Sequence, residues 1–402
     1  MIIASHMIIG VSRCGKRQID NFMNHQNQTN TKQVWLLSIG FLWLFFGFDG
    51  IQQHMIALLS EWNMTAVGYN SLILVYVSFV MFDPVAAYLV SKYNSKPMLV
   101  FGASFYALFT FALSTLQVNF IYLCAILLGG GASLLWTAQN TYLIRVSQKS
   151  VYGKNAGIFN ALRTLGSGIG VICFGLLIRQ FTPGQTMQLF TIIVLLGGLC
   201  FFGLKQIPNQ VTQNHWQLIK KTFTNKTYLR LSMPFFLIMF LQGLLLGYLP
   251  ELITNRWGIE YVGLITSIFF LVPLLLTTVA GSISDRVGRL RVIRVAYGFI
   301  AGGLIFIGSP VLVLVIGGVI FLAIASAILN PASMAIVGDI AAGEVVVSVT
   351  AFFWIMRNFG ILGALILAKL LSPGLILPVS VAIVGITIII YWPYLATKTI
   401  KN

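Results

Sequence analysis

The sequence predicts an all-α integral membrane protein, with twelve transmembrane helices in two pseudo-symmetric six-helix halves. Three observations predict it. Hydrophobic residues fill 58% of the 402 positions, only 8% are charged, and mean hydropathy is +0.90; soluble domains average about 25% charged residues. A ruler of roughly 20 apolar residues per span lays out twelve spans. The chain also carries a displaced copy of itself. Phe159-Asn-Ala-Leu-Arg163-Thr-Leu-Gly166 returns as Phe353-Trp-Ile-Met-Arg357-Asn-Phe-Gly360, 194 positions later, and the same displacement carries Ala87–Asn94 onto Gly281–Gly288.

In order, the spans run over about 34–58, 66–90, 97–116, 119–144, 154–178 and 186–205, then 230–253, 261–284, 292–308, 311–336, 346–370 and 375–396. The polar stretch 206–229, with Lys220, Lys221 and Lys226, divides them six and six. Residues 1–33 read as a polar, irregular N-terminal tail, 34–205 as the first half, 230–396 as the second and 397–402 as a short C-terminus. Pro331 predicts a local break in span ten. Glycines such as Gly166, Gly168 and Gly170 read as close helix-packing positions.

Formal net charge is +16, a value that invites a nucleic-acid reading until the positions are mapped. Arg13, Lys16, Arg17, Lys92, Lys96, Lys149, Lys205, Arg286, Arg289, Arg291, Lys398 and Lys401 all fall on one side of the twelve spans. Arg179, Arg256 and Lys369 fall on the other. That is a positive-inside pattern, so both termini are expected in the cytoplasm and nucleic acid is not a partner. The expected setting is a plasma membrane, with the chain acting as a monomer. Cys14, Cys124, Cys173 and Cys200 show no paired spacing, which leaves neither a disulfide framework nor a metal site. No hydrolytic triad, phosphate-binding loop or cofactor motif is present, and an enzyme reading is rejected.

At 281–291 the chain reads Gly-Ser-Ile-Ser-Asp-Arg-Val-Gly-Arg-Leu-Arg. This resembles the signature loop of the major facilitator superfamily, Gly-x-x-x-Asp-Arg-x-Gly-Arg-Arg. In that family the loop joins helices two and three and recurs, often weakened, between eight and nine. Here the second copy is intact and the first has Ala87, Ser91, Lys92, Asn94 and Ser95 at the key positions. A narrower likeness spans Gly129-Gly-Gly-Ala-Ser-Leu-Leu-Trp-Thr-Ala-Gln-Asn-Thr-Tyr-Leu143 and Gly153–Phe159. It resembles the Unc-ninety-three-like branch, whose members include regulators or escorts of other membrane proteins. The resemblance implies secondary transport by alternating access, with Gly281, Asp285, Arg286, Gly288 and Arg289 as a conformational gate.

Charges inside spans are costly, at least ~2.5–3.5 kcal/mol each, and are functional-site candidates by default. Arg163 and Arg357 lie about 15 Å from the near end of their spans, and Asp83 about 12 Å. The family's helix-two to helix-eleven contact implies an Asp83–Arg357 pair between halves. Arg163 has no acidic partner by that rule and is expected to bond carbonyls of span eight. Candidate substrate or ion ligands are Asp49, Gln53 and His54 on helix one, Trp136, Gln139 and Asn140 on helix four, Gln242 on helix seven and Asn330 on helix ten. A small organic solute is the expected partner, and Asp49 is expected to take either a coupling cation, a proton or sodium ion, or a cationic substrate. No cofactor is expected. The alternative function is a non-transporting regulator or escort of another membrane protein.

Overall fold

The computed structural model describes residues 3–147, 152–206, 225–340 and 345–395, with side chains over 31–86, 88–90, 92–147, 155–206, 225–284, 286–333, 336 and 352–391. Among these, twelve helices are long and apolar enough to cross a membrane, and they coincide with the twelve expected spans to within a few residues. The first half comprises α1 (Ile3–Glu61), α2 (Thr65–Tyr93), α3 (Ser95–Thr115), α4 (Val118–Val146), α5 (Tyr152–Leu177) and α6 (Pro183–Cys200). The second comprises α7 (Lys226–Leu231), α8 (Met233–Leu246), α9 (Tyr248–Trp257), α10 (Glu260–Val287), α11 (Arg289–Ile307), α12 (Leu312–Ile340), α13 (Val345–Leu370) and α14 (Pro373–Leu395).

Two elements differ from expectation. The leader is helical from Ile3 rather than irregular; it contains no proline to stop a helix, and its apolar span begins at Thr31. Pro331 does not break span ten, because α12 runs through it unbroken. Asn330, just before it, turns its amide back to the Ser326 carbonyl and hydroxyl, both at 3.1 Å. The break falls in span seven, which is built of α7, α8 and α9, with Ser232 and Gly247 at the joints and Pro250 just beyond the second.

The duplication is structural as well as sequential. In the first half Phe159 meets Phe41 with ring centroids 4.9 Å apart, and in the second Phe353 meets Phe235 at 4.8 Å. Gly166 lies against the backbone of Leu42, and Gly360 against that of Phe236, so a Cβ at either would collide with a carbonyl. Each of these second-half residues is its first-half counterpart displaced by 194. In both halves, therefore, the arginine-bearing helix (α5 or α13) is locked by a glycine onto the first helix of its half (α1 or α8).

The halves meet along two helix pairs, α5 with α10 and α2 with α13, which are related by the same displacement. Side-chain contacts between halves gather at the end of the bundle away from residue 31 and residue 391. Lys369 Nζ donates to Asn70 Oδ1 at 2.5 Å, Tyr69 donates to Glu251 at 2.7 Å, and Arg179 pairs with Glu260 at 3.5 Å. That far end is closed.

The two signature-loop copies share one backbone feature. Gly288, between α10 and α11, has φ +102° and ψ 134°; Asn94, between α2 and α3, has φ +73° and ψ 159°. Glycine adopts that region freely, whereas a side chain there costs on the order of 1–3 kcal/mol. Asn94→Gly is therefore expected to raise the melting temperature, by the equivalent of about 1 kcal/mol after allowing for glycine's freer unfolded state. A differential scanning fluorimetry trace of the purified variant checks this, and a lower melting temperature would refute the strain.

Candidate functional site between the two halves

Arg163 on α5 is held in a cage from its own half. Its guanidinium lies over Phe45 at 5.6 Å and Trp136 at 5.7 Å, and its Nη2 donates to Thr164 Oγ1 at 3.3 Å. The acid facing it is Asp49 on α1, 9% exposed, with Ser167 alongside. Ser167 donates to the Arg163 backbone carbonyl at 3.1 Å, one turn back along α5. Asp49 and Arg163 feel each other's charge without a side-chain ion pair within 4.0 Å, and the hydrogen bond of the Arg163 guanidinium goes to Thr164 rather than to carbonyls of span eight. The Gly166 and Gly170 contacts lay α5 directly on the Leu42 and Phe46 backbone of α1, the helix that carries Asp49.

Arg357 on α13 occupies the corresponding place in the second half. It stacks over Trp354 at 4.6 Å, its Nη2 reaches Met239 Sδ at 3.4 Å, and its buried Nε has no partner. Met239 is Phe45 displaced by 194, so the two arginines sit in equivalent cages. Their guanidiniums lie within electrostatic reach of each other. The expected Asp83–Arg357 pair is not made. Asp83 accepts from Ser133 Oγ at 2.6 Å instead, a partner on α4 in its own half.

Above this centre, Gln53 and His54 belong to the far-end closure. Gln53 Nε2 donates across the interface to the Leu245 carbonyl at 2.5 Å, and Tyr69 donates to the Gly247 carbonyl at 3.2 Å. Carbonyls at the break in span seven are thus capped by side chains of the opposite half, the arrangement that irregular backbone inside a membrane requires. His54 is fully buried, with Nδ1 2.9 Å from the Gly50 carbonyl and its ring against Phe174. Its Nε2 has no partner and projects into a slot between Gly175 and Gly263.

The remaining candidates scatter. Trp136 belongs to the Arg163 cage; Gln139 is buried on α4 and Asn140 partly exposed beside it. Gln242 is half-buried on α8, and Asn330 is spent on Ser326. In the signature loop, Gly281 faces Pro331 and Arg286 is exposed, while the side chain of Asp285 lies outside the described residues. Sequence reasoning missed Tyr76 and Tyr106, both close enough to Asp49 to interact with it, and Ser167. No motif marks them; the helix register alone brings them in. Among the described residues no group of three or more His, Cys, Asp or Glu could hold a metal ion.

A twelve-helix membrane bundle with two pseudo-symmetric halves, closed at one end around a buried charged centre, is the architecture of a major facilitator. Comparison with known proteins agrees. Residues 63–251 match the family described as ion channel regulatory protein UNC-93, and residues 231–399 match the Major Facilitator Superfamily. The chain is thus similar to the UNC-93-like branch over its first half and to the major facilitator superfamily over its second. It is 26% identical over 178 residues to UNC93-like protein MFSD11 of Xenopus tropicalis, covering 42% of this chain and 40% of the relative. It is 30% identical over 176 residues to Protein unc-93 homolog A of Bos taurus, covering 40% and 38%. The chain therefore spans about two-fifths of the length of the curated relatives it matches. Among solved structures, a POT family transporter in complex with 5-aminolevulinic acid superposes with TM-score 0.73 at 15% identity, over 91% of this chain and 97% of that one. The nucleoside transporter NupG gives 0.66 at 16%, over 93% and 100%. At those identities the likeness is one of fold.

Proposed function

We propose that the chain is a secondary carrier that moves a small organic solute through the bilayer by alternating access, its two halves rocking about the arginine-bearing centre. The observation that supports this best is the asymmetry of the interface. Inter-half hydrogen bonds and the Arg179–Glu260 ion pair seal the far end, while two half-buried arginines stand midway, with Asp49 in electrostatic reach of Arg163. A carrier needs such a centre, reachable from one side at a time. With the termini in the cytoplasm of a cell bounded by a plasma membrane, this conformation is the inward-facing one. Coupling to a proton or sodium ion at Asp49 remains part of this reading.

A second reading rests on the UNC-93 match over 63–251, whose family is described by ion channel regulation. In a regulator the far-end closure is a static interface. Nitroxide labels at Asn70→Cys and Lys369→Cys, in a background cleared of native cysteines and reconstituted in nanodiscs, separate the two. A carrier yields a short and a long distance population in double electron–electron resonance, and their ratio responds to solute. A single short population with every solute tested supports the regulator.

A further inference from the structure

The two halves place an arginine in matching cages, but only one cage is supplied with an acid. Displacing Asp49 by 194 lands on Gly243, which packs against Ile361 and Ala364 and carries no side chain. Arg163 therefore has a carboxylate beside it, and Arg357 has a thioether, an indole face and an unpartnered Nε. Two guanidiniums within reach of one another and one carboxylate leave the centre with one formal positive charge too many. Arg163 feels the charge of Asp49, though the two are not within 4.0 Å, whereas Arg357 feels that of Arg163 and of no acid. A buried cation kept without a partner in a low-dielectric site is stabilised when an anion arrives, and a guanidinium fork suits a planar carboxylate. Trp354 lies against Arg357, and Trp136 and Phe45 against Arg163, so flat apolar rings flank both guanidiniums.

We propose that the solute is an organic monoanion, an aromatic or similarly flat carboxylate, bound with its charge on Arg357 between the two halves. This rests on the carrier reading and names its substrate class. Asp49 sets the valence: it offsets Arg163 and leaves one positive charge for the solute to neutralise.

The test is a thermal-shift series on the full chain in nanodiscs, at constant ionic strength. The probes are benzoate, salicylate and indoleacetate, each beside its amide and the amine of matching shape. The expected result is a dose-dependent rise in melting temperature with at least one carboxylate and none with its amide. Arg357→Met is expected to abolish that rise while its unliganded melting temperature stays at or above that of the parent, which shows the variant is folded. Arg357→Lys is expected to retain a weakened rise. A rise that survives Arg357→Met overturns the assignment, as does an amide that binds as well as its acid. A panel in which only amines or amides bind overturns the anion and leaves the carrier standing. A panel in which nothing binds to well-folded protein counts against both.

Discussion

Arg163→Met is expected to destabilise the protein by about 3 kcal/mol, whereas Arg357→Met is expected to be neutral or stabilising. The residues are twins in sequence and in position, so the difference must come from what surrounds them. Removing Arg163 strands Asp49, an acid 9% exposed among Phe45, Phe48, Tyr76 and Tyr106. A buried charge deprived of its partner is among the most damaging single changes. Removing Arg357 strands nothing, because Met239 and Trp354 are content beside a methionine of similar length. Asp49→Asn in the Arg163→Met background should recover most of the loss. Non-additivity of the two changes in a double-mutant cycle, read by thermal unfolding in one detergent, measures the coupling. Equal losses for Arg163→Met and Arg357→Met would show that the acid does not distinguish the two cages.

Span number, the six-plus-six division and the pairing of Arg163 with Arg357 were legible because they depend on composition and on repetition along the chain. The partners of those arginines were not, because they depend on how deeply one helix sinks against another. The helix-two to helix-eleven contact implied by the resemblance pointed Arg357 to Asp83 and left Arg163 without an acid. Gly166 and Gly170 matter here: without side chains, they let α5 lie directly on the Leu42 and Phe46 backbone, and Arg163 comes within electrostatic reach of Asp49. Gln53 illustrates a second limit. Its type and position marked it as a polar residue within a span, but its acceptor is the carbonyl of Leu245 at a helix break. Span seven satisfies the length ruler as a single span despite Gln242 and Pro250, and Gly247 in it resembles the many glycines that merely pack. Pro331 failed in the opposite direction, since a proline within a long membrane helix is tolerated when neighbouring groups re-satisfy the backbone.

Gly263→Leu should open the far end. Gly263 lies on α10 in the second half, and a Cβ there would stand 2.5 Å from the Val171 carbonyl and 3.0 Å from His54 Nε2, both in the first half. The carbonyl cannot retreat without moving α5, and His54 is already packed on Phe174. Overpacking of this kind costs roughly 1–3 kcal/mol. Because the clash lies between halves, that cost falls on the closed far end and is relieved when the halves separate there. A bias of that size changes a two-state ratio roughly 5- to 150-fold. Labels at positions 70 and 369 should then shift from the short distance to the long one. Gly170→Leu is the control, since its obstruction is the Phe46 backbone within the same half. It should lower the melting temperature without redistributing the distances, because both conformations contain the α1–α5 contact. A short distance that persists in Gly263→Leu would mean that the far end does not open at this seam, and the case for rocking halves would lose its geometric basis.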